Sequence, residues 1–522
     1  MKGNLLKTKL FKEKGSNNNN NNKLELNGHA EVKYYPDSVN DYKDAFVFIG
    51  CEGVNKFLFV AADQSEKEFF NKFEGEFDDA KSLDVDFKIK KCPLNHHNSL
   101  AVQKMFPFTR AISLGLKDSF GFGDRLGLAN AGHIRALKGH NFKPIFAQQS
   151  IRELTRTNRT PEDVMDAAVW AVFQEGYKEG FGADADHLKT TDDIDLLMKA
   201  GYKTFTFDPS DYVVNGVEAM SESDITKKIE TINWKDLNDT SAGLLSRYVD
   251  KKIKVDDDFN IEPNKIEVLR SVLKYSSALA HIKKLYDYMK NKYSGEDYEI
   301  EVSIDETDTV TSPFEHFFIV NELKRLGVQF ISLAPRFIGD FEKGIDYKGD
   351  LGLFKSEYEK HAKIAKHFGT YKISLHSGSD KFSAYRVIGF LDLCRTHVKT
   401  AGTSYLEALK VVAIKEPDLF REILDFSAGL YETEKKTYHV SADLKRIKPA
   451  KDYKDSELEE LFASNDVRQV LHVTYGRVLT EKNAQGKYIF RDRIYKCLIE
   501  NEDLHYKLLI AHFHKHLEPF DK

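Results

Sequence analysis

The sequence has few cysteines. Cys51, Cys92, Cys394 and Cys497 are widely spaced, and no two form a Cys-x-x-Cys pair. This excludes a disulfide framework and a zinc ribbon and fits a reducing compartment. No apolar run is long enough to span a bilayer, and the N-terminus lacks the apolar core of a signal peptide. The formal charge of -5 offers no basic surface to nucleic acid or an acidic membrane. We therefore expect a cytoplasmic globular protein that binds neither.

The spacing of apolar runs predicts the fold class. Residues 1–105 combine strand-like runs with polar turns and predict a small mixed or β-rich region, in which the asparagine run 17–22 forms a disordered loop. From residue 106 onward, short apolar runs alternate with amphipathic helical patterns, which favours an α/β fold with a parallel sheet. Eight strands suggest a (β/α)8 barrel of the TIM type rather than an open sheet. The predicted strands are 112–116, 144–148, 181–187, 204–208, 300–305, 330–334, 372–376 and 398–401.

The barrel is assigned to residues 106–404. Residues 212–298 are too many for one barrel helix and predict a helical insertion after the fourth strand. Residues 405–522 predict a helical C-terminal extension that packs on the barrel. In this tail His512, His514 and His516 alternate, and we expect them to be solvated. Two helix starts are marked by a proline behind a hydroxyl N-cap, at Thr160-Pro161 and Ser312-Pro313.

Chemistry-bearing side chains follow the predicted strands, where the active site of such a barrel collects. His187 and His376 each end a strand, and neutral imidazole suits zinc, nickel, cobalt, iron or manganese. A single histidine is more often a hydrogen-bonded core or surface residue, but two at strand ends of one barrel favour a divalent metal site. A catalytic metal needs a third protein ligand. Spacing alone leaves four candidates open: Glu342, Glu306, Asp305 and His472.

Asp186 is the candidate general base. Adjacent residues on a strand face opposite ways, so Asp186 and His187 reach one site only if the strand breaks there. The alternative is an N-cap or ion-pair role for Asp186. The acidic run 305–308 supplies a second acid–base group, or else only a solvated turn. The loop 377–383 can bind a carboxylate or phosphate, or is simply a polar loop. The candidate substrate-binding residues are Arg336, Ser377, Lys381 and Ser404.

Six strings together resemble the tagaturonate/fructuronate epimerase family. The match covers most of residues 106–480, and the strings that carry it are residues 119–127, 182–189, 302–308, 334–337, 375–383 and 471–476. The resemblance implies a metal-dependent isomerase of hexuronate catabolism that interconverts D-tagaturonate and D-fructuronate. It also implies that Asp186 accepts a proton beside the metal ligand His187, and that the proton donor lies in the Asp305-Glu306 string, taken here as Glu306. We take His187, Glu342 and His376 as the metal set.

A more distant similarity links the Asp-His pair and the His-Ser-Gly-Ser string to class II metal-dependent aldolases. It suggests inversion by a retro-aldol step. Two other functions remain open: an aldolase or ketose isomerase acting on a related sugar or sugar phosphate, and a non-catalytic carbohydrate-binding barrel. The partner is a small keto-uronate, and the sequence leaves monomer and homo-oligomer equally open.

Overall fold

The computed structural model describes residues 23–26, 30–78 and 87–521, so the predicted asparagine loop lies outside the described residues. Within these ranges, no helix combines the length and the apolar character that a membrane span requires. The chain forms an N-terminal sheet, a closed barrel and a helical C-terminal extension.

The N-terminal region is an antiparallel sheet, as its alternating runs predict. Its strands are β1 (Lys23–Leu26), β2 (Ala30–Tyr34), β3 (Asn40–Tyr42), β4 (Ala45–Glu52), β5 (Asn55–Asp63), β6 (Glu76–Asp78) and β7 (Phe87–Cys92). One face of this sheet packs against Trp170 and Phe173, which belong to a helix of the barrel. The sheet is therefore joined to the outside of the barrel through a shared apolar core.

Eight parallel strands close into the barrel, which confirms the predicted fold class. They are β8 (Ser119–Phe122), β9 (Lys143–Ser150), β10 (Gly182–Leu188), β11 (Thr204–Phe207), β14 (Glu299–Ile304), β15 (Ser332–Pro335), β16 (Lys372–Leu375) and β17 (Thr396–Thr400), while the short pair β12 (Ile253–Lys254) and β13 (Asn260–Ile261) lies in the insertion. The prediction of the first strand at residues 112–116 is wrong, because the chain there is irregular and the strand begins at Ser119.

Helices surround the barrel and build the extension. Their bounds are Lys67–Phe70, His96–Met105, Asn130–Leu137, Ile151–Thr157, Pro161–Gln174, Thr191–Lys199, Glu222–Glu230, Ser241–Tyr248, Lys265–Lys292, Pro313–Arg325, Leu351–Phe368, Phe382–Leu391, Thr403–Lys415, Pro417–Glu434, Asp455–Leu458, Asn465–Thr480, Arg491–Glu500 and Glu502–Leu517. Both proline-marked starts are confirmed: the Thr160 hydroxyl accepts from the Asp163 N–H and the Ser312 hydroxyl from the Glu315 N–H. Each of these caps satisfies a backbone donor that the first helical turn leaves free.

The inside of the barrel is polar. On β11, Thr206 lies between Phe205 and Phe207, which pack into the apolar core outside. Glu301 on β14 likewise lies between Ile300 and Val302, and both of its neighbours belong to that core. Because side chains alternate across a strand, the polar residues point inward. The interior is thus suited to holding charge next to the carboxyl ends of the strands.

The C-terminal helix Glu502–Leu517 does not expose all its histidines. His512 and His516 are buried, so the expectation that they are solvated is wrong. His512 Nε2 lies 2.9 Å from Asp380 Oδ1, and His516 Nε2 accepts the Asp380 N–H at 3.0 Å. Asp380 belongs to the loop after β16, and this contact attaches the extension to the loop that carries His376.

Candidate active site

The strand break required at Asp186-His187 is present. The pairing of β10 with β11 shifts register between Ala185 and Leu188. His187 adopts φ +56°, a left-handed conformation that a residue with a side chain rarely takes. The break turns both side chains to the same side, so that His187 Nδ1 lies 2.8 Å from Asp186 Oδ1. Strain of this kind is typical of functional sites.

Three side chains from three strand ends converge at the barrel mouth. The rings of His187 and His376 have centroids 5.0 Å apart. Asp305, which follows β14, lies between them: its Oδ1 is 4.0 Å from His187 Nε2 and 3.1 Å from His376 Nδ1. The donor atoms of these three residues all lie within 4.8 Å of one another. A second group of the same kind joins His187 to Asp208 and Glu306.

Each imidazole is oriented by a carboxylate on its far side. Asp186 holds His187 through Nδ1, and Glu301 Oε1 lies 2.7 Å from His376 Nε2. The other nitrogens, His187 Nε2 and His376 Nδ1, face Asp305, and His376 Nδ1 has no hydrogen bond of good geometry to any described residue although Asp305 Oδ1 lies 3.1 Å away. Carboxylate–histidine pairs of this kind orient metal ligands in proteins. Two imidazoles and one carboxylate therefore fit a catalytic divalent metal.

Lys399 ties three carboxylates together beneath this cluster. Its Nζ lies 2.6 Å from Asp184 Oδ2, 2.8 Å from Asp186 Oδ1 and 2.7 Å from Glu301 Oε1. It also donates to Thr206 Oγ1 at 2.7 Å. Since these residues come from β17, β10, β14 and β11, the network crosses the barrel interior and fixes the two carboxylates that orient the imidazoles.

The surrounding charges shift the pKa values of the site. Burial alone would lower the pKa of both imidazoles, but Asp186 raises that of His187 to about 10, and Asp305 raises that of His376 to about 9. Although burial favours its neutral form, the charges of His187 and Lys399 hold the pKa of Asp186 well below its usual value. The carboxylates thus favour positive charge at the imidazoles, which protons or a divalent cation supply.

Glu342, expected as the third member of the metal set, lies apart from the two histidines in the structure. Glu342 does not join His187 and His376: its Oε1 accepts from Lys348 Nζ at 2.9 Å, and its Oε2 accepts from Ser441 and Gln469. The structure brings Asp305 to the two histidines instead, because it follows a strand directly, whereas Glu342 lies in a loop that hydrogen-bonds to the C-terminal extension. The fourth candidate, His472, is buried, and neither ring nitrogen has a partner in the described part of the chain.

The predicted substrate-binding residues separate into two groups. Ser377 lies at the mouth next to His376, and Arg336 has a half-buried side chain without an ion pair to any described residue. Lys381 is fully buried and donates to the carbonyls of Glu342, Ile345 and Ser379. The Ser404 hydroxyl lies 2.9 Å from His133 Nε2. Lys381 and Ser404 thus already have hydrogen-bond partners within the protein, and their role in substrate binding stays a prediction.

Glu306 lies on the outer side of His187. Its Oε1 is 3.8 Å from His187 Nε2 and 3.6 Å from Arg152 Nη2, and its side chain is 37% exposed. Asp186 approaches the same ring from the Nδ1 side. Two carboxylates thus flank one imidazole, an arrangement that can exchange protons at two points of a bound molecule.

Several residues of the site escaped the sequence reasoning. Asp184, Glu301 and Lys399 lie inside strands, where their alternation with apolar residues looks like that of an ordinary half-exposed strand. Lys343 lies in the loop after β15 and donates from Nζ to Ser377 Oγ at 2.6 Å. One signal in the sequence could have identified them: they are charged residues at strand positions that face the inside of a closed barrel, where solvent does not reach.

The fold and this cluster are those of a (β/α)8-barrel protein whose mouth groups carboxylates with two imidazoles in a set that fits a metal. Residues 35–520 match the family model described as tagaturonate epimerase. The chain is 43% identical over 486 residues to a tagaturonate/fructuronate epimerase from Thermotoga maritima, covering 93% of this chain and 96% of the relative. The chain therefore belongs to the tagaturonate epimerase family, which confirms the resemblance and makes it an isomerase acting on carbohydrate.

Solved structures of this family also resemble the chain. The native crystal structure of the fructuronate-tagaturonate epimerase from Cohnella laeviribosi superposes with a TM-score of 0.87 at 38% identity, covering 94% of this chain and 97% of that one. Its glycerol complex gives the same TM-score and identity, with 96% of that chain covered. The barrel, the N-terminal sheet and the helical extension are thus common to both proteins.

Proposed function

We propose that this enzyme interconverts D-tagaturonate and D-fructuronate in the cytoplasm, with a divalent metal at the barrel mouth. Its membership of the family supports the substrate pair. The observation that carries the metal is the convergence of His187 Nε2, His376 Nδ1 and Asp305 Oδ1 within 4.8 Å. These three residues would hold zinc, nickel, cobalt, iron or manganese. The metal, when bound, supplies a Lewis acid that polarises the ketone and offsets negative charge on the substrate oxygens.

The chemistry of the substrate limits the route. The two keto acids differ at the carbon β to the ketone, whose C–H the carbonyl does not acidify. We propose a retro-aldol route. A base takes the proton from the hydroxyl on the inverting carbon, that oxygen becomes an aldehyde, and the bond to the α carbon breaks with its electron pair moving into an enediolate. The aldehyde then rotates, and the reverse steps form the carbon–carbon bond again on its other face.

The two carboxylates beside His187 suit this sequence. Asp186 remains ionised, because His187 and Lys399 hold its pKa well below the usual value, and it is proposed to accept the hydroxyl proton. Once the aldehyde turns, its oxygen lies on the other side, out of reach of the same group. Glu306, on the opposite side of the ring and in its protonated form, is proposed to give a proton there, after which exchange with solvent returns a proton to Glu306 and removes the one held by Asp186.

Turnover in deuterium oxide tests the route. The metal-loaded enzyme is incubated with D-fructuronate, and the product is followed by proton NMR. The proposal predicts D-tagaturonate with hydrogen, not deuterium, retained on the inverted carbon, since that C–H bond never breaks. Deuterium at this carbon would refute the retro-aldol step. Accumulation of two three-carbon fragments would indicate an aldolase instead.

A further inference from the structure

A hexuronate brings a carboxylate into the site, and a cation must receive it. Most cations near the barrel mouth are already committed. Lys399 serves three carboxylates, and Lys381 serves three carbonyls. Arg125 is buried and pairs with Glu153 at 2.9 Å. None of these three can turn to a ligand without leaving a buried group unsatisfied.

Lys343 is differently placed. Its Nζ donates to Ser377 Oγ at 2.6 Å, and among the described residues it forms no ion pair with any carboxylate. Ser377 directly follows His376, so the ammonium group lies one residue away from a proposed metal ligand. A half-buried cation next to a reaction centre, with a neutral hydroxyl as its partner, is a ready receptor for an anion.

The backbone around Lys343 is fixed by hydrogen bonds from two cationic side chains. Lys381, itself fully buried, donates to the carbonyls of Glu342 and Ile345, on either side of it. Arg468 Nε donates to the Gly344 carbonyl at 2.7 Å. Lys381 and the partly buried Arg468 thus hold three of the four carbonyls of residues 342–345, which fixes the backbone that carries the Lys343 side chain. Such support is what a binding group needs to keep its position.

We propose that Lys343, together with the Ser377 hydroxyl, is the anchor for the substrate carboxylate, an assignment that rests on the proposed function above. The competing cation, Arg152, is half exposed and forms an ion pair with Glu306 at 3.6 Å. The Arg336 side chain forms no hydrogen bond or ion pair with His187, His376 or Asp305. Of the cations compared here, all within the described residues, Lys343 combines a fixed backbone, a hydrogen bond to the loop that carries His376, and no ion pair with a described carboxylate.

Lys343 and Ser377 would also hold one fragment of the substrate during the reaction. Cleavage of the bond between the α and β carbons divides the six-carbon chain into a three-carbon enediolate that keeps the former ketone and a three-carbon aldehyde that keeps the carboxylate. The second fragment must turn without leaving. A carboxylate held by Lys343 serves as its pivot, since rotation about that end presents the other face of the aldehyde.

The test compares Lys343→Met and Lys343→Arg with wild type and with Lys366→Met, which removes an exposed lysine of the helix Leu351–Phe368. A charge-assisted hydrogen bond contributes about 1.5–3 kcal/mol, so Lys343→Met should raise KM for D-fructuronate about tenfold to a hundredfold. Lys343→Arg should recover much of this loss, and Lys366→Met should match wild type. Lys343→Met should also release three-carbon fragments, detected by NMR.

The outcomes separate the two proposals. A KM in Lys343→Met within about twofold of wild type, or an equal loss in Lys343→Arg, overturns the anchor while the proposed function stands. Absence of released fragments in Lys343→Met overturns the pivot. If wild type converts neither uronate, the proposed function falls and takes this assignment with it.

Discussion

Replacing Lys399 by methionine tests the charge network beneath the site. The ammonium group serves Asp184, Asp186 and Glu301 at 2.6–2.8 Å, and all of these groups are buried. Removing one partner of a buried pair costs about 3–5 kcal/mol, because it leaves uncompensated charge. For a chain of this length the entropy of unfolding is large, and the thermal midpoint should fall by roughly 1 °C for each kcal/mol, or about 3–5 °C.

The stability lost in Lys399→Met should increase with pH. Burial, partly offset by Lys399, raises the pKa of Asp184 to about 6, from an ordinary value near 3.8. A carboxyl whose folded pKa exceeds its unfolded pKa contributes stability at low pH that is lost as pH rises through the folded value. Without Lys399 the offset disappears and the pKa rises further. The midpoint of Lys399→Met should therefore lie further below that of wild type at pH 8 than at pH 5.

The barrel supplies a matched control. Lys372 on β16 is as buried as Lys399, yet its Nζ donates to Ser119 Oγ at 3.0 Å and pairs with no carboxylate among the described residues. Lys372→Met removes a charge that burial already penalises, so its midpoint should equal or exceed that of wild type. Midpoints are measured by differential scanning calorimetry in chelator-treated samples. Equal losses in the two variants, or a pH-independent loss in Lys399→Met, would refute the reasoning.

Three further substitutions test individual roles. Asp186→Asn should lower kcat by about a hundredfold or more while bound metal, measured by mass spectrometry, stays at the wild-type level; unchanged turnover would remove Asp186 from the mechanism. Glu306→Gln should also lower kcat with little change in KM, and a change in KM alone would assign it to binding. Lys381→Met leaves three buried carbonyls without their donor and should cost about 1–3 kcal/mol in urea unfolding, whereas a neutral effect would show that the loop does not depend on it.

Much of the fold could be predicted from local pattern. Helix starts at Pro161 and Pro313 follow from fixed φ angles and hydroxyl caps, which act within one turn. The first strand was missed because its Ser-Phe-Gly-Phe sequence looks like a turn. Gly121 leaves room for a side chain distant in sequence: a Cβ at this position would lie 1.4 Å from Gln148 Oε1 on the next strand, so the Gln148 side chain would have to move. Such a close approach depends on the tertiary structure and cannot be predicted from the local sequence pattern.

Some residues of the site could likewise be predicted from the sequence, and others could not. His187 and His376 could be paired from sequence, because barrel topology brings strand ends together whatever the loops do. Glu342 could not be rejected, since its position depends on Ser441 and Gln469 in the extension. Lys399 was missed because only closure of the barrel shows that its strand position faces three carboxylates.

The metal content of purified variants tests the central claim most directly. Mass spectrometry on wild type, His187→Ala, His376→Ala and Glu342→Gln, each loaded with metal and dialysed, should give one tightly bound ion in wild type and in Glu342→Gln, and none in the two histidine variants. Chelation should abolish epimerisation by wild type, and metal should restore it. Full turnover in the presence of chelator, or metal retained by both histidine variants, would contradict the account.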